Sequence, residues 1–554
     1  MMLFLWLTCS AVEGPGLALY PGLAAIQNPR VPRLYESVPD ADRLEPNLTL
    51  EPAIPFQWVW EVGEPIRLNV AASAPAAGDC AVLTAWDWEV RPVAQLRFRI
   101  PFDETVEVQV QGRGTYLLSL DLLEGNRCVA RKVRSFSVCP SNLPRRTAWA
   151  AEEFFVGTCA FPGRQHWRNE FGMATPPGLS QQASRELDAE LSARLGVQVV
   201  RPDLPVEWAS EEAPLNFTKA DTALGAWTSR GFRLDLQLGL PGDWAILPEY
   251  ADVSDPKWRY PKREGPSRRY VAECVKRYGP HAAFIELYNE PDIRDFWRGR
   301  PEQYVEWARW AVEEIRRVAP QAVVVNGGYS FNQPELTGFF ARELRDWIDG
   351  VAYHAHGDLR NLKDRFDTMR AVQAALGREN PIFFNTEMGY TAWRLDMERT
   401  QAATAVQKVL YCWAHRHRGA LLYCSRDVGG PRLRPDDPDW GYLDYFFCPR
   451  FMYGAVAALI DGYAGAHFER VLKETDHLHA YLFRAEGKRL VAAFVPYDGK
   501  QSLTLESDAS AVQIVDPMGN ATPVPPGRVR LDVAFYPQTV VLEGATTVQT
   551  VEEP

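Results

Sequence analysis

The chain has 554 residues, enough for about three or four domains of ordinary size. It is 46% hydrophobic and 24% charged, a balance that excludes a disordered chain and leaves ample apolar surface for a core. Sixty basic against 71 acidic residues give a formal net charge of −11. With no long basic run, that argues against nucleic acid or an anionic membrane surface as partner.

The N-terminus reads MMLFLWLTCSAVEG. Leu3 to Ala11 has the length of a signal-peptide apolar region and is far too short to span a membrane. The basic residues that usually precede such a region are missing, since the first Arg is Arg30. Residues 1–45 read as a leader and linker, and the expectation is an extracellular, cell-surface or periplasmic protein. No later segment has the length and apolarity for membrane insertion.

Residues 46–140 change to short alternating runs such as IRLNVAA, VEVQVQG, YLLSLDLLEG and RSFSV, separated by turns. That pattern predicts an N-terminal β-sandwich. The nine Cys form no C-x-x-C pair and no zinc spacing. Cys80 and Cys128 share the strand-rich region and are candidates for a disulfide in an exported protein. SNLPRR (141–146) reads as a linker.

From 148 to 462, strands alternate with amphipathic helices. Candidate strands are EFFVGT (153–158), VQVVR (197–201), RLDLQLGL (233–240), FIELY (284–288), AVVVNG (322–327), GVAYHAH (350–356), PIFFNTE (381–387) and ALLYCS (420–425). One helix opens at Ser180 as N-cap, is expected to bury Ala183, Leu187 and Leu191, and stops at Gly196. Another has Pro301 in its first turn and turns Tyr304, Ala308, Ala311 and Ile315 inward. Eight such units predict a (β/α)8 TIM barrel. An open doubly wound sheet would be expected to carry a G-x-G-x-x-G after a strand, and none occurs. Residues 463–554 alternate again and predict a small C-terminal antiparallel β-domain.

Catalytic groups of a barrel lie where strands end at its C-terminal face. FIELYNEPD places Asn289 and Glu290 just past the fourth strand, and FFNTEMGY places Glu387 at the end of the seventh. Strands four and seven face each other across a barrel mouth, so the two carboxylates could flank one bond. Cleaving a glycosidic bond needs that arrangement: one carboxylic acid protonates the leaving oxygen and the other carboxylate meets the oxocarbenium carbon. Asn289 is placed to hydrogen-bond a sugar 2-hydroxyl. Pro291 biases Glu290 away from helical geometry.

These residues resemble the retaining glycoside hydrolases of clan A, and most nearly family 39, the group of β-xylosidases and α-L-iduronidases. FIELYNEPD is similar to that family's E-x-W-N-E-P strand, with Tyr288 in place of the usual Trp. The resemblance implies that Glu290 is the general acid and base and Glu387 the nucleophile. RLGVQVVRPD is similar to the clan's second strand, whose Arg holds the nucleophile carboxylate; here that is Arg201. DGVAYHAH resembles the sixth strand, with His354 matching its His and His356 standing where Tyr is usual. YFFCPRFMYGAVAALIDG is similar to the helix after strand eight, with Arg450 in a Lys position. The likeness covers about residues 150–545 and leaves the front β-domain outside the family pattern. It implies no cofactor, an oligo- or polysaccharide substrate, and a carboxyl separation of about 5–5.5 Å, the spacing for retention.

Of the 18 Trp, several sit beside Gly, Pro or a charge, among them Trp208, Trp244, Trp297, Trp393 and Trp440. Trp208, Trp244 and Trp393 follow strands two, three and seven and are candidate sugar-stacking platforms, with rim packing as the alternative for each. Three His-x-His pairs occur, at 354/356, 415/417 and 477/479. A metal-dependent barrel hydrolase wants such a pair on its first strand, so no catalytic metal is expected, and His354 and His356 are assigned to substrate binding. Asp235 lies mid-strand and reads as structural. Two alternatives stand beside this reading: a non-catalytic carbohydrate-binding protein on a retired barrel, and a transglycosylase using the same residues.

Overall fold

The computed structural model describes residues 48–551 apart from 74–79, 126, 147–152, 166–172, 379, 393–396, 429–439 and 498. The expected leader segment lies outside the described residues.

Between residues 48 and 138 the chain forms a five-stranded and a three-stranded sheet. Alternation sets their inward faces: Ile66, Leu68, Val70 and Ala72 are buried in one strand, while Leu118, Leu120 and Leu122 line another. Cys80 and Cys128 do not bridge. Both pair with Leu123 of the strand between them, one from each side. Two inter-strand spacings, about 9.6 Å, exceed the reach of a disulfide, and both thiols are free.

The barrel is a closed sheet of eight parallel strands. They are β1 (Phe155–Ala160), β2 (Val199–Pro202), β3 (Arg233–Leu238), β4 (Ala282–Leu287), β5 (Val324–Asn326), β6 (Gly350–His354), β7 (Ile382–Met388) and β8 (Gly419–Leu422). A helix follows each: α1 (Gln181–Leu195), α2 (Thr218–Thr228), α3 (Glu264–Tyr278), α4 (Pro301–Val318), α5 (Pro334–Glu343), α6 (Leu359–Ala375), α7 (Glu398–Ala414) and α8 (Phe451–Tyr463). Phe155, Phe284 and Phe384, from β1, β4 and β7, stack inside the barrel with centroids 4.3–6.2 Å apart. They plug the interior beneath the mouth.

The local signals explain the helix ends. The Ser180 hydroxyl accepts the Ala183 N–H at 3.1 Å, and Gly196 closes α1 at φ 102°, a left-handed cap that favours glycine. In α4, Tyr304, Ala308, Ala311 and Ile315 are buried as the periodicity predicts. In α1 the buried stripe is rotated. Ala183 and Leu187 are only half-buried, while Ser184 and Asp188 are buried on Gln165 Oε1 (2.7 Å) and Ser425 Oγ (3.1 Å). Paired polar groups tolerate burial that apolar periodicity does not foresee.

The segment 141–146 is docked rather than a free linker. Asn142 Nδ2 donates to Leu195 O and Ala457 O, both at 3.0 Å, and Arg146 bonds Val197 O and Arg230 O. Residues 467–551 form a six-stranded and a three-stranded sheet. The Gln407 amide of α7 donates to Val495 O and Phe535 O, fixing these sheets to the barrel wall. Among the described residues, no helix is long and apolar enough to cross a membrane.

Candidate active site

β4 ends at Leu287, and the three residues that follow bend sharply. Tyr288 and Glu290 adopt φ 76° and 42°, left-handed values uncommon outside glycine. Two glycines after β5 make room for the bend. A Cβ on Gly327 would lie 2.2 Å from Leu287 O, and one on Gly328 would lie 2.1 Å from His354 Nε2. The Glu290 N–H donates to Gly327 O at 2.7 Å, which fixes the turn that aims Glu290 inward.

Glu387, near the end of β7, accepts a hydrogen bond from Arg201 Nη1 of β2. The guanidinium makes two further contacts, Nε to Glu286 Oε2 at 2.6 Å and Nη2 to Asn289 Oδ1 at 2.7 Å. Arg201 is 4% exposed, so these bonds act at low dielectric. Asn289 Oδ1 also accepts from Gln237 Nε2 at 3.1 Å, which leaves the Asn289 amide N–H₂ for another acceptor.

His354 ends β6 between the two carboxylates. Its Nδ1 lies 2.7 Å from Glu290 Oε1 and 3.6 Å from Glu387 Oε2. His356 Nε2 lies 3.3 Å from the same Glu387 oxygen. Of the residues singled out in sequence, Arg201, Glu387 and Asn289 form one hydrogen-bonded group and His354 and Glu290 another, and the 3.6 Å contact of His354 with Glu387 brings the two together, with His356 at the edge.

Burial and charge act against each other here. Burial would raise the Glu387 carboxyl, but His354, Arg201 and His356 outweigh it and hold Glu387 well below the usual carboxylate range. Burial lowers His354, and Glu387 and Glu290 together outweigh that and raise it. His356 is lowered, chiefly by burial. Asp235 of β3, fully buried and 3.5 Å from Arg201, is raised well above the usual carboxyl value by burial and by Glu286. His354, His356 and Glu387 offer ligand atoms within 4.8 Å of one another and are the residues here that could hold a metal ion.

The tryptophan expectations fare differently. Trp208 is 5% exposed, its ring met edge-on by Trp244 at 4.8 Å and covered by Arg269. Its N–H donates to Ala213 O, and the Trp244 N–H donates to Trp208 O. Trp208 is thus a packing residue rather than a stacking platform, and half-buried Trp244 packs against it under Arg263. Trp393 lies outside the described residues.

Aromatic rings instead gather beside the carboxylates from the end of β8. Half-buried Tyr423 and Trp440 meet each other at 5.5 Å and lie 5.3 and 5.2 Å from the His356 ring. Sequence reasoning did not assign Tyr423. Trp440 was visible only as a loop tryptophan, and a flat ring directly after an apolar strand end was the available signal. Glu286 and Gln237 were also missed as site residues; both are strand positions whose polar side chains face into a closed barrel.

No protein-family model matches the chain, and no curated protein matches it. Solved structures do. A family 39 glycoside hydrolase from the gut symbiont Bacteroides cellulosilyticus WH2 superposes with a TM-score of 0.67 at 16% identity, covering 89% of this chain and 100% of that one. That share exceeds residues 150–545 alone, so the likeness extends into the N-terminal sheets. A GH39 β-xylosidase from Caulobacter crescentus matches with a TM-score of 0.51 at 15% identity, over 71% of this chain and 97% of that one. The chain has the (β/α)8 barrel fold of these clan A glycoside hydrolases, with added β-sheets.

Proposed function

We propose that the protein is an exported retaining glycoside hydrolase acting on oligo- or polysaccharides. One observation carries the reading. A single imidazole nitrogen, His354 Nδ1, lies 2.7 Å from Glu290 Oε1 and 3.6 Å from Glu387 Oε2, so these oxygens are at most the sum, about 6.3 Å, apart. Inverting pairs need about 6.5–9.5 Å to admit a water between them, and retaining pairs about 5–5.5 Å.

In this reading Glu387, held ionised, attacks the anomeric carbon and forms a glycosyl-enzyme. Glu290 delivers to the leaving oxygen the proton it shares with His354, then takes one from the water that releases the sugar. Asn289, its oxygen pinned by Arg201 and Gln237, presents its N–H₂ to the sugar 2-hydroxyl. Tyr423 and Trp440 supply apolar faces for a pyranose. The test is sugar release from β-linked pentose, hexose and uronic-acid glycans and aryl glycosides, with Glu290→Gln and Glu387→Gln as matched blanks. Release that both substitutions abolish in folded protein supports the mechanism. Release that survives either one refutes these assignments.

A further inference from the structure

We propose that the barrel mouth also binds a transition-metal dication of the zinc class, through His354 Nδ1, His356 Nε2 and Glu387 Oε2. The geometry is close to a coordination shell. Glu387 Oε2 lies 3.3 Å from His356 Nε2 and 3.6 Å from His354 Nδ1. An ion held tetrahedrally at 2.0–2.1 Å separates its ligands by about 3.4 Å. Two of the three edges are therefore already formed, and the three residues offer ligand atoms within 4.8 Å of one another. Closing the third edge falls to His356, whose side chain is 32% exposed and is the freest of the three.

The donor chemistry is selective. Two imidazoles and one carboxylate suit zinc, copper or nickel rather than calcium or magnesium, and three protein ligands leave a position open to solvent. The oxygen required is the one Arg201 leaves free, because the guanidinium bonds Oε1. The charge of Arg201 is shared with Glu286 on its other side, 2.6 Å away. Glu290 Oε1, 2.7 Å from His354 Nδ1, faces the same nitrogen and must swing aside for the ion to reach it.

The functional consequence rests on the proposed hydrolase reading. An ion on Glu387 Oε2 takes the lone pair needed for attack and fills the space of the reacting sugar carbon, so it inhibits in competition with substrate. A second His–carboxylate contact exists away from the mouth, His415 Nε2 to Glu474 Oε2 at 3.0 Å, and serves as the internal comparison.

The test is calorimetric titration of zinc chloride into the EDTA-treated full chain at pH 7.5, beside His356→Phe, Glu387→Gln and His415→Phe, with circular dichroism confirming that each is folded. The expected result is one ion per chain, binding at least tenfold weaker in His356→Phe and in Glu387→Gln, and binding unchanged in His415→Phe. Glu387→Gln carries the decision if His356→Phe does not fold. Absence of binding, binding that persists without the mouth ligands, or binding lost in His415→Phe overturns the proposal. None of these measurements needs turnover, so a failure to find a cleavable glycoside leaves the metal result intact. Where a glycoside is cleaved, zinc raises KM at constant kcat and EDTA reverses it; a fall in kcat alone refutes competition.

Discussion

Replacing Arg201 with Met removes the cation that joins β2 to the carboxylates of β4 and β7. Its guanidinium is 4% exposed and bonds Glu286, Glu387 and Asn289. Without it, Glu286 and Glu387, 0% and 9% exposed, keep their burial; Glu286 loses its counter-ion and Glu387 keeps only the histidines beside it. Leaving such a charge unpaired costs ~3–5 kcal/mol, a large part of the ~5–15 kcal/mol that holds a domain together. At ~2–4 °C per kcal/mol for a domain of this size, the unfolding midpoint should fall by ~10 °C. Catalysis shifts as well. Glu387 is held below the ordinary range by His354, Arg201 and His356 acting against burial. A carboxyl depressed in the folded state stabilises the fold above its unfolded value, near pH 4.3, and that contribution is lost as pH falls through the folded value. Removing Arg201 moves the loss to higher pH. The acid limb of kcat/KM should rise by at least about one pH unit, and each unit corresponds to about 1.36 kcal/mol. Arg201→Lys should recover little, since an ammonium cannot reach three acceptors in fixed geometry. A Met variant with unchanged midpoint and unchanged acid limb would refute the account of how Glu387 stays ionised.

Lys408 is 1% exposed and donates from Nζ to Ala355 O (2.8 Å) and Gly389 O (3.3 Å), tying the ends of β6 and β7. Burial pulls its pKa down to about 7, against Asp358 and Cys412, which raise it, and Arg365, which lowers it further. The unfolded chain binds the extra proton between about pH 7 and about pH 10.4, so this group makes stability rise with pH across that window, by ~2–4 kcal/mol. Denaturant unfolding at pH 6, 8 and 10 should show the rise in wild type and not in Lys408→Met. Asn142→Ala should cost ~1–3 kcal/mol in thermal unfolding, because two buried carbonyls lose their donor. Cys80 and Cys128 should both alkylate in denaturant without prior reduction, and reductant should leave the midpoint unchanged; a reduction-dependent mass shift linking them would contradict the strand register.

The strands were legible because each barrel strand is a short apolar run with its own boundaries, and the observed ends fall within a few residues of those read from sequence. Glu290 and Glu387 were legible for the same reason: each is a charge placed where such a run stops. Arg201 was placed through resemblance, but its simultaneous grip on Glu286, Glu387 and Asn289 joins residues 85 to 186 positions apart. Local pattern cannot carry that. The tryptophans show the converse limit. Trp208 and Trp440 both follow barrel strands in polar loops, yet one is packed under Arg269 and the other faces His356. What separates them is the path of the neighbouring loops, which sequence does not encode residue by residue. The linker expectation for 141–146 failed because one amide, Asn142, finds two helix carbonyls that only the fold brings near.

How strongly Arg201 holds Glu387 depends on what else draws on the same guanidinium. Asp235 lies 3.5 Å from the guanidinium, farther than the carboxylates it bonds, and takes less of the charge. Glu286 takes much of it, accepting from Arg201 Nε while its other oxygen accepts from Thr386 Oγ1 at 3.1 Å. Glu286 thus competes with Glu387 for one cation and leaves the proposed nucleophile ionised but not neutralised. A carboxylate that shared the guanidinium with no rival would be a weaker nucleophile. Glu286→Gln tests this without opening a cavity, since an amide oxygen still accepts from Nε and the volume is preserved. The expected outcome is a folded enzyme whose kcat falls about tenfold, roughly 1.4 kcal/mol of transition-state stabilisation. KM should stay near the wild-type value, because Glu286 is fully buried. An unchanged kcat in a folded variant would mean that Glu286 only packs the barrel, and that Arg201 alone sets the state of Glu387.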